Sequence, residues 1–377
     1  MPMRACSAAE RRRKSKWVLV GALALLTACA PGEDAIGEAR RPTLRGATLT
    51  VIDSLDLQET DSVFASKVNA IVLQKRGQLL VADAGVGRVL EYSRDGRLLR
   101  TFGRRGKGPG EFSSPSWMVV LGDSLLLVKN GPAFRIEAFD LRSGAWLWGR
   151  RFDAKTTTGL AAVGDTVVMG LLDAGRGSSF VSFSDSGSAL QPHGRLPSDA
   201  HGDPLLTDAF RLTQLAARGD TIAQAYEVSN WLCVLTMDGS LVDSVHIPVA
   251  RRKGAPVKLL PLLRANQELG IKAVNHVSQP QVLQWIGEGI IGLVTVDPDR
   301  TGARFRGPAF LSVIDLRTRR ACVDAPLPVP EDPPPATAWS GDTLLMLYQD
   351  VSRDGRPVAR VKRARVDLAT CEWSGEP

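Results

Sequence analysis

The sequence has few of the residues that bind metals or act as nucleophiles, and it lacks the common motifs that arrange them. Its four histidines lie scattered, without the short spacings of metal ligands: His193, His201, His246 and His276. The five cysteines include no Cys-X-X-Cys pair. The serine-rich SDSGS at residues 184–188 has neither the spacing of a Gly-X-Ser-X-Gly elbow nor a helix after it. These absences argue against a zinc site and against an α/β-hydrolase.

Long apolar runs are missing too. The run WVLVGALALL at residues 17–26 has ten residues, whereas a membrane-spanning helix needs about 20. It follows the basic block RRRKSK at residues 11–16, an order typical of a secretory signal. The four residues from Leu26, the last of this run, to Cys29 resemble the lipobox of bacterial lipoproteins. The resemblance implies removal of residues 1–28 and acylation of Cys29; an ordinary signal with an incidental cysteine is the alternative.

The lipobox resemblance also implies a location. Ala30 is not the acidic residue that retains such lipoproteins at the inner membrane. We therefore expect an exported chain, lipid-anchored to the bacterial cell envelope at the outer membrane and facing the periplasm or the cell surface. Residues 29–46 are polar and small without an apolar period, which predicts a flexible tether. The folded part is expected at residues 47–377.

Most of the excess positive charge lies in the segment that would be removed. The whole chain carries a formal net charge of +7. Residues 1–28 hold six of its 47 Lys and Arg and one of its 40 Asp and Glu, so the remainder carries +2. A charge so close to zero gives no support for nucleic-acid binding, and we expect no nucleic-acid partner.

What the sequence does contain is a repeated turn signal. Glycine, usually followed by an acidic residue and then by aliphatic residues, recurs six times, at Gly77, Gly122, Gly164, Gly219, Gly287 and Gly341. Each copy predicts a tight hairpin. A second hairpin follows each one, as in RVLEYSRDGRLLRTF from Arg88. Two hairpins give four antiparallel strands per repeat.

Six such repeats predict an all-β fold, a six-bladed β-propeller. The predicted blades cover approximately residues 66–103, 112–152, 157–196, 209–248, 280–328 and 336–377. An open ring would expose sheet edges, so we expect the alternating segment at residues 47–53 to pair with the last blade and close the ring. A closed ring of this kind is expected to be monomeric.

The first repeat, residues 67–115, resembles an NHL repeat. The matching residues are Val81-Ala82-Asp83, Arg88-Val89, Tyr92, Asp95-Gly96, Phe102-Gly103, Gly110-Glu111-Phe112 and Pro115. The match is specific in this blade and faint in the other five. It implies similarity to a broad group of bacterial six-bladed propeller lipoproteins whose role is unassigned.

The glycine-rich stretch GRRGKGPGEF at residues 103–112 is predicted to be a connector rather than a phosphate-binding loop. Lys107 is followed by Gly108, so the stretch has no Gly-X4-Gly-Lys-Ser/Thr motif, and SWMVV at residues 116–120 predicts a strand where a dinucleotide site needs a helix. The glycines allow the chain to turn from one blade into the next. Phe112 and Pro115 are expected to lie between the two blades.

One insertion, residues 249–279, interrupts the repeat. It begins with the basic residues Arg251, Arg252 and Lys253, and KLLPLLRANQELG at residues 258–270 has a helical apolar period in which Pro261 suits only a first turn. The insertion could be a lid or partner-docking element over one mouth of the ring. A loop that covers a blade edge is the alternative.

One set of polar residues defines a candidate binding face. The residue that ends the second strand of each blade is polar and usually acidic: Asp83, Asn130, Asp173, Glu227, Asp297 and Asp350. Arg104, Arg105 and Lys107 belong to the same face and would partly neutralise these acids. The set could surround the central channel and bind a cation or a basic or hydroxylated ligand. Alternatively, Asp and Asn cap turns through local backbone bonds.

Three function classes remain open. The first is a non-catalytic, lipid-anchored propeller that binds a protein, peptide or glycan through this face. The second is a metal-dependent lactonase-like or lyase-like hydrolase, since related propellers hold a central metal with acids and asparagine; Asn69 and the acids would then bind Ca²⁺ or another divalent metal. The third is an envelope assembly or sensor component. No other cofactor is expected.

The late cysteines leave one further question open. Cys322 and Cys371 occupy equivalent outer-strand positions in the fifth and sixth blades. A disulfide is compatible with an exported chain. Blades diverge towards the rim, however, which argues against contact between equivalent outer positions.

Overall fold

The computed structural model describes residues 44–374, apart from residues 61–64, 132–134, 152–156, 174–177, 187–190, 194–212, 228, 255–258, 299–306, 331–334 and 352–356. These residues form six four-stranded antiparallel sheets. The fold is therefore the predicted six-bladed β-propeller.

Blades 1 to 3 are continuous in sequence, and their strands lie side by side in chain order. Blade 1 contains β2 (Val68–Leu73), β3 (Leu79–Asp83), β4 (Arg88–Tyr92) and β5 (Leu98–Phe102). Blade 2 contains β8 (Pro115–Leu121), β9 (Leu125–Asn130), β10 (Arg135–Asp140) and β11 (Trp146–Arg151). Blade 3 contains β12 (Thr157–Val163), β13 (Thr166–Asp173), β14 (Ser178–Ser184) and β15 (Gln191–His193).

Blades 4 and 5 repeat this order, whereas blade 6 takes its outermost strand from the start of the folded chain. Blade 4 contains β16 (Thr213–Arg218), β17 (Thr221–Tyr226), β18 (Trp231–Thr236) and β19 (Leu241–His246). Blade 5 contains β20 (Gln279–Gly287), β21 (Ile290–Val296), β22 (Ala309–Asp315) and β23 (Arg320–Pro326). Blade 6 contains β24 (Ala336–Ser340), β25 (Thr343–Val351), β26 (Pro357–Asp367) and β1 (Thr48–Asp56).

The ring is closed in the predicted way. The first strand of each blade contacts the first strand of the next, and β24 of blade 6 contacts β2 of blade 1. Strand β1 pairs antiparallel with β26 from Thr48 opposite Asp367 to Asp56 opposite Arg360. The prediction that an early strand completes the last blade is confirmed.

Cross-strand ion pairs strengthen this pairing. Asp53 lies opposite Arg363 and Asp56 lies opposite Arg360 in the register. The Arg360 Nε atom is 2.5 Å from Asp56 Oδ1, and this hydrogen bond lowers the pKa of the Asp56 carboxyl. Opposite charges directly across a ladder favour one register over its neighbours. The pairs therefore fix β1, most of whose residues are exposed to solvent.

The turn signals form hairpins because their glycines adopt a left-handed backbone. Gly122, Gly164, Gly219 and Gly341 have φ between +54° and +59°. In blade 5 the left-handed residue is Gly289, with a φ of +67°, and not the predicted Gly287, which pairs with Ile290 at the end of β20. Only glycine visits this region without a steric penalty. The glycine recurs because each of these turns needs a residue with a positive φ. The number of hairpins could therefore be predicted from the sequence.

The connector between blades 1 and 2 contains two short strands, β6 (Arg104–Arg105) and β7 (Glu111–Phe112), which pair in parallel. Phe112 is fully buried between the two blades, with its ring centroid 5.7 Å from that of Phe139. A Cβ atom at Gly103 would lie 2.4 Å from the Phe112 ring, so only glycine fits there. The strand β8 follows, in agreement with the connector interpretation.

The insertion between blades 4 and 5 contains two helices, α1 (Leu259–Ala265) and α2 (Gln267–Asn275). The side chain of Asn266 caps α2 by accepting a hydrogen bond from the Leu269 N–H at 3.1 Å. Buried Arg252 fixes the start of the insertion, because its Nε atom is 3.1 Å from Asp324 Oδ1 and its Nη2 atom donates to the Ile247 carbonyl. Part of the basic segment therefore serves folding.

A disulfide joins Cys322 of β23 to Cys371 of the C-terminal tail. The expected divergence of the blades does not prevent it, because the tail leaves blade 6 and crosses to blade 5. Ala321 and Ser374 exchange backbone hydrogen bonds of 2.7 and 2.9 Å. The tail also bonds to Arg45, whose carbonyl accepts from the Glu372 N–H at 2.8 Å. The disulfide and these hydrogen bonds thus hold the start and the end of the described chain at the junction of blades 5 and 6.

Replacing Cys322 and Cys371 together with alanine should lower the free energy of unfolding by up to about 4 kcal/mol, because the bond closes a loop of 49 residues. Urea denaturation of the oxidised protein measures this loss. The matched control is Cys233→Ala, which removes a free thiol and should cost less than about 1.5 kcal/mol. An unchanged urea midpoint in the double variant would show that the disulfide does not stabilise closure.

Candidate functional site

The candidate site lies on the side of the ring where the chain passes between blades. Because neighbouring strands alternate in direction, each second strand ends and each third strand begins on this side. The connectors that lead from outer strands to the next inner strands run on the same side. We call it the connector face. All six polar residues predicted as a binding set end or follow second strands and so belong to this face.

The first of these residues, Asp83, is fully buried. Its carboxylate accepts hydrogen bonds from the N–H groups of Lys67, at 3.0 Å, and Gly85, at 2.7 Å. Ser66 donates to the same carboxylate from both its backbone and its hydroxyl group. Several backbone donors therefore satisfy the charge of Asp83 and fasten the connector that enters blade 1.

Asn130 and Asp297 act in the same way at equivalent places. Asn130 Oδ1 accepts from the N–H groups of Ser113 and Ser114, both at 3.1 Å. Asp297 Oδ1 accepts from the Lys253 N–H at 3.0 Å and from the Ser278 hydroxyl. Burial raises the pKa of Asp297, and these hydrogen bonds oppose the rise. Both side chains fasten the connector that enters their own blade.

The remaining members differ. Glu227 is buried, and Asp350 is half-buried with its carboxylate 2.5 Å from Arg360 Nη1. Asp173 ends β13, but its side chain lies outside the described part of the chain. These contacts support the alternative in which the set serves turns and connectors. A ligand role for these six residues stays a prediction.

The basic residues of the same face remain exposed. Arg104, Arg105 and Lys107 all lie on the surface of the connector. The Arg104 guanidinium contacts Glu111 at 2.9 Å, and Arg105 donates to the Gly85 carbonyl. The N–H of Gly108 and the guanidinium of Arg104 lower the pKa of Glu111. The sequence predicts a mainly acidic face, whereas the exposed charged side chains of this connector are mainly positive.

Polar side chains of the inner strands also form hydrogen bonds between blades, and sequence reasoning missed most of them. Trp117 Nε1 donates to Gln214 Oε1 at 3.3 Å, which joins the first strands of blades 2 and 4. Gln214 Nε2 donates to the Pro280 carbonyl of blade 5, and Asn69 Nδ2 donates to the Pro115 carbonyl of blade 2. Blades 2 and 4 are not adjacent, so the Trp117–Gln214 bond spans the channel mouth. A polar residue near the start of each inner strand was the available signal.

Lys129 lies buried beside this crossing. Its ammonium group is 4.3 Å from the centroid of the Trp117 ring, a cation–π contact. Burial lowers the pKa of Lys129 to about 7, because the loss of hydrating water disfavours the charged form. The side chain therefore changes charge near neutral pH inside the ring.

Lys129→Met should change the pH dependence of stability. Between pH values of about 7 and 10.5, Lys129 is mostly neutral in the folded protein and mostly protonated in the unfolded chain. Its contribution to the free energy of unfolding therefore rises with pH across this range, by up to about 1.4 kcal/mol per pH unit. Methionine removes this contribution and should stabilise the protein at pH 7. Urea denaturation across this pH range measures the difference. Exposed Lys75→Met is the control, and equal slopes in wild type and Lys129→Met would contradict the burial effect.

A serine–histidine pair occurs in blade 3. Ser182 Oγ lies 2.7 Å from His193 Nε2, and the imidazole stacks on Phe180 and lies against Asp238 of blade 4. Burial lowers the pKa of His193. Ser182 lies inside β14, paired with Val168 and Gln191. Its backbone N–H is thus part of the ladder and unsuited to stabilising an oxyanion. We assign the pair to inter-blade packing.

A metal site was one of the sequence hypotheses. Within the described residues, no group of three or more His, Cys, Asp or Glu side chains is placed to hold a metal ion. Among the same residues, no helix is long and apolar enough to cross a membrane. Cys29, the predicted lipid-attachment residue, lies outside the described residues.

Comparison with known proteins shows the fold. No family model and no curated protein matches the chain. A Bacteroides fragilis protein described as exported is similar with a TM-score of 0.57 and 12% identity, over 85% of this chain and 95% of its own. A member of the DUF4221 family from Bacteroides vulgatus is similar with a TM-score of 0.53 and 8% identity, over 86% and 99%. Virginiamycin B lyase from Staphylococcus aureus has a TM-score of 0.49 and 10% identity, over 84% and 99%.

Proposed function

We propose that this chain is a binding platform of the bacterial cell envelope, which presents its connector face to a protein, peptide or glycan. One observation carries the proposal: buried side chains of the second strands fix the backbone of the connectors, while charged side chains of the connector between blades 1 and 2 point into solvent. Asp83 accepts hydrogen bonds from the N–H groups of Ser66 and Lys67. Asn130 accepts hydrogen bonds from those of Ser113 and Ser114.

This arrangement suits recognition more than catalysis. A surface that is already rigid loses little conformational entropy when it binds a partner. The acids that a central metal would need are occupied instead by backbone donors, as at Asp83, or by arginine, as at Asp350. The bond between Trp117 and Gln214 lies across the mouth of the channel. The outer, exposed part of the face is therefore the surface that we expect to meet a partner.

The proposed location rests on the N-terminal sequence. The lipobox-like residues 26–29 follow a short apolar run, which supports lipid anchoring through Cys29. Similarity of fold to an exported protein is compatible with this location. The anchor would hold the propeller at the outer membrane, with the tether reaching the ring at the junction of blades 5 and 6.

Cys29→Ser should release the protein from the membrane. Expressed with its complete signal in a Gram-negative host, the wild type should sediment with outer membranes, whereas the variant should be soluble in the periplasm or retain its signal. Fractionation and mass spectrometry of the N-terminus measure both effects. Cys233→Ser is the control. Equal sedimentation of both variants, or an unmodified N-terminus in the wild type, would refute lipid attachment.

The platform proposal is tested by co-sedimentation of the mature protein with purified outer membranes, peptidoglycan and envelope glycans. We expect saturable binding to one of these fractions that persists in EDTA. Absence of saturable binding to all of them would contradict the proposal. A rise of several degrees in melting temperature with CaCl2, together with stoichiometric calcium in the purified protein, would instead favour the metal-dependent enzyme.

A further inference from the structure

An exposed tryptophan lies against the basic connector of blades 1 and 2. Trp146, at the start of β11, has 42% of its surface exposed. A Cβ atom at Gly110 would lie 3.1 Å from the indole ring, so the connector backbone touches Trp146 directly. Gly110 has a φ of +68°, which only glycine adopts easily. The close contact thus depends on the glycine-rich sequence of the connector.

Two buried or half-buried side chains hold this tryptophan in place. Trp146 Nε1 donates to Glu137 Oε2 at 2.9 Å, and Glu137 is fully buried. The other carboxylate oxygen of Glu137 contacts Arg135. Arg135 Nη1 in turn donates to the Lys107 carbonyl at 2.9 Å. One chain of contacts therefore links the indole to the part of the connector that bears Lys107.

The connector next to the indole is positively charged. We call Arg104, Arg105, Lys107 and Trp146 the connector patch; its three cationic side chains are all exposed. The described acids next to it are Glu111, which pairs with Arg104, Glu137, which pairs with Arg135, and Asp140 in the β10–β11 turn, which accepts from the N–H groups of Arg142 and Ser143. The four nearby cations, Arg104, Arg105, Lys107 and Arg135, thus outnumber these three acids. Guanidinium and ammonium groups at a surface bind carboxylate, phosphate and sulfate.

We propose that the connector patch binds an anionic glycan, with a sugar ring stacked on Trp146 and its acidic groups on the surrounding cations. The indole offers a flat apolar surface for the C–H face of a pyranose, and its hydrogen bond to Glu137 removes the entropy cost of ordering it. The inference rests on the proposed envelope function, because the same chemistry in contact with nucleic acid would serve bases and phosphates.

The patch favours a glycan over other anions of the envelope. An acidic peptide or an anionic membrane surface needs positive charge but no fixed aromatic platform. A membrane surface also favours an amphipathic helix with aromatic residues that insert into lipid, whereas Trp146 lies on a strand and is hydrogen-bonded to a buried carboxylate. Only a ring-shaped ligand uses both the rigid indole and the cations.

The test uses the mature protein and heparin as a polyanionic glycan probe, with dextran, polyglutamate and anionic lipid vesicles for comparison. Calorimetry should show binding to heparin that weakens with salt, and little binding to dextran. Trp146→Ala and the double variant Arg105→Glu/Lys107→Glu should each weaken heparin binding about tenfold or more. Trp146→Phe, which keeps a ring but loses the N–H, should retain more affinity than Trp146→Ala and covers the case in which alanine unfolds the protein.

Two control variants match these changes. Trp231→Ala removes another exposed tryptophan, at 47% exposure, and Arg76→Glu/Arg94→Glu reverses two exposed charges on the opposite side of the ring. Both should bind heparin as the wild type does. Equal binding by Trp146→Ala, or equal affinity for polyglutamate or vesicles, would overturn the glycan assignment. If the protein binds an envelope fraction saturably and no connector-patch variant changes this binding, the glycan site is overturned but the platform proposal stands.

Discussion

The propeller depends on one ladder of backbone hydrogen bonds, between β1 and β26. Without β1, blade 6 would have three strands, and it would lose the ladder that joins it to the chain entering blade 1. Hydrogen bonds join β1 to β26, and the chain continues from β1 into blade 1, so β1 connects the last blade to the first. The Asp53–Arg363 and Asp56–Arg360 pairs select the register of the ladder. The disulfide at Cys371 adds a second fastening on the adjoining blade.

A second constraint shapes the connector face. Connectors between blades carry backbone N–H groups that no strand can satisfy, and buried polar groups without partners are costly. Asp83, Asn130 and Asp297 supply the missing acceptors from the ends of their second strands. A carboxylate used in this way is no longer available to a solvent ligand. The exposed charges of this face come instead from connector side chains such as Lys107, which bear the opposite charge.

Most of the fold could be predicted from the sequence because its signals are local. A positive φ at Gly122 or Gly341 is a property of one turn, and six such turns fix the number of blades. The site was harder because it depends on contacts between distant residues. Trp117 and Gln214 lie 97 positions apart in the sequence, and no local sequence pattern predicts their hydrogen bond. The burial of Asp83 and the crossing of the tail that brings Cys371 to Cys322 likewise follow from the assembled ring. Trp146 is equally hard to identify from the sequence, because its contact with Gly110 forms only when the connector folds against blade 2.

The position of the first described residues has a mechanical consequence. Gly46 lies tightly against β23, where an added Cβ atom would be 2.7 Å from the Val323 carbonyl, and β1 then runs the length of β26. A force applied to the N-terminus along β1 loads the hydrogen bonds of this ladder together, in shear, instead of opening them one after another. The closing strand is therefore also a suitable point of attachment for a chain under tension. A propeller tethered in this way would resist being pulled open from the end by which it is held.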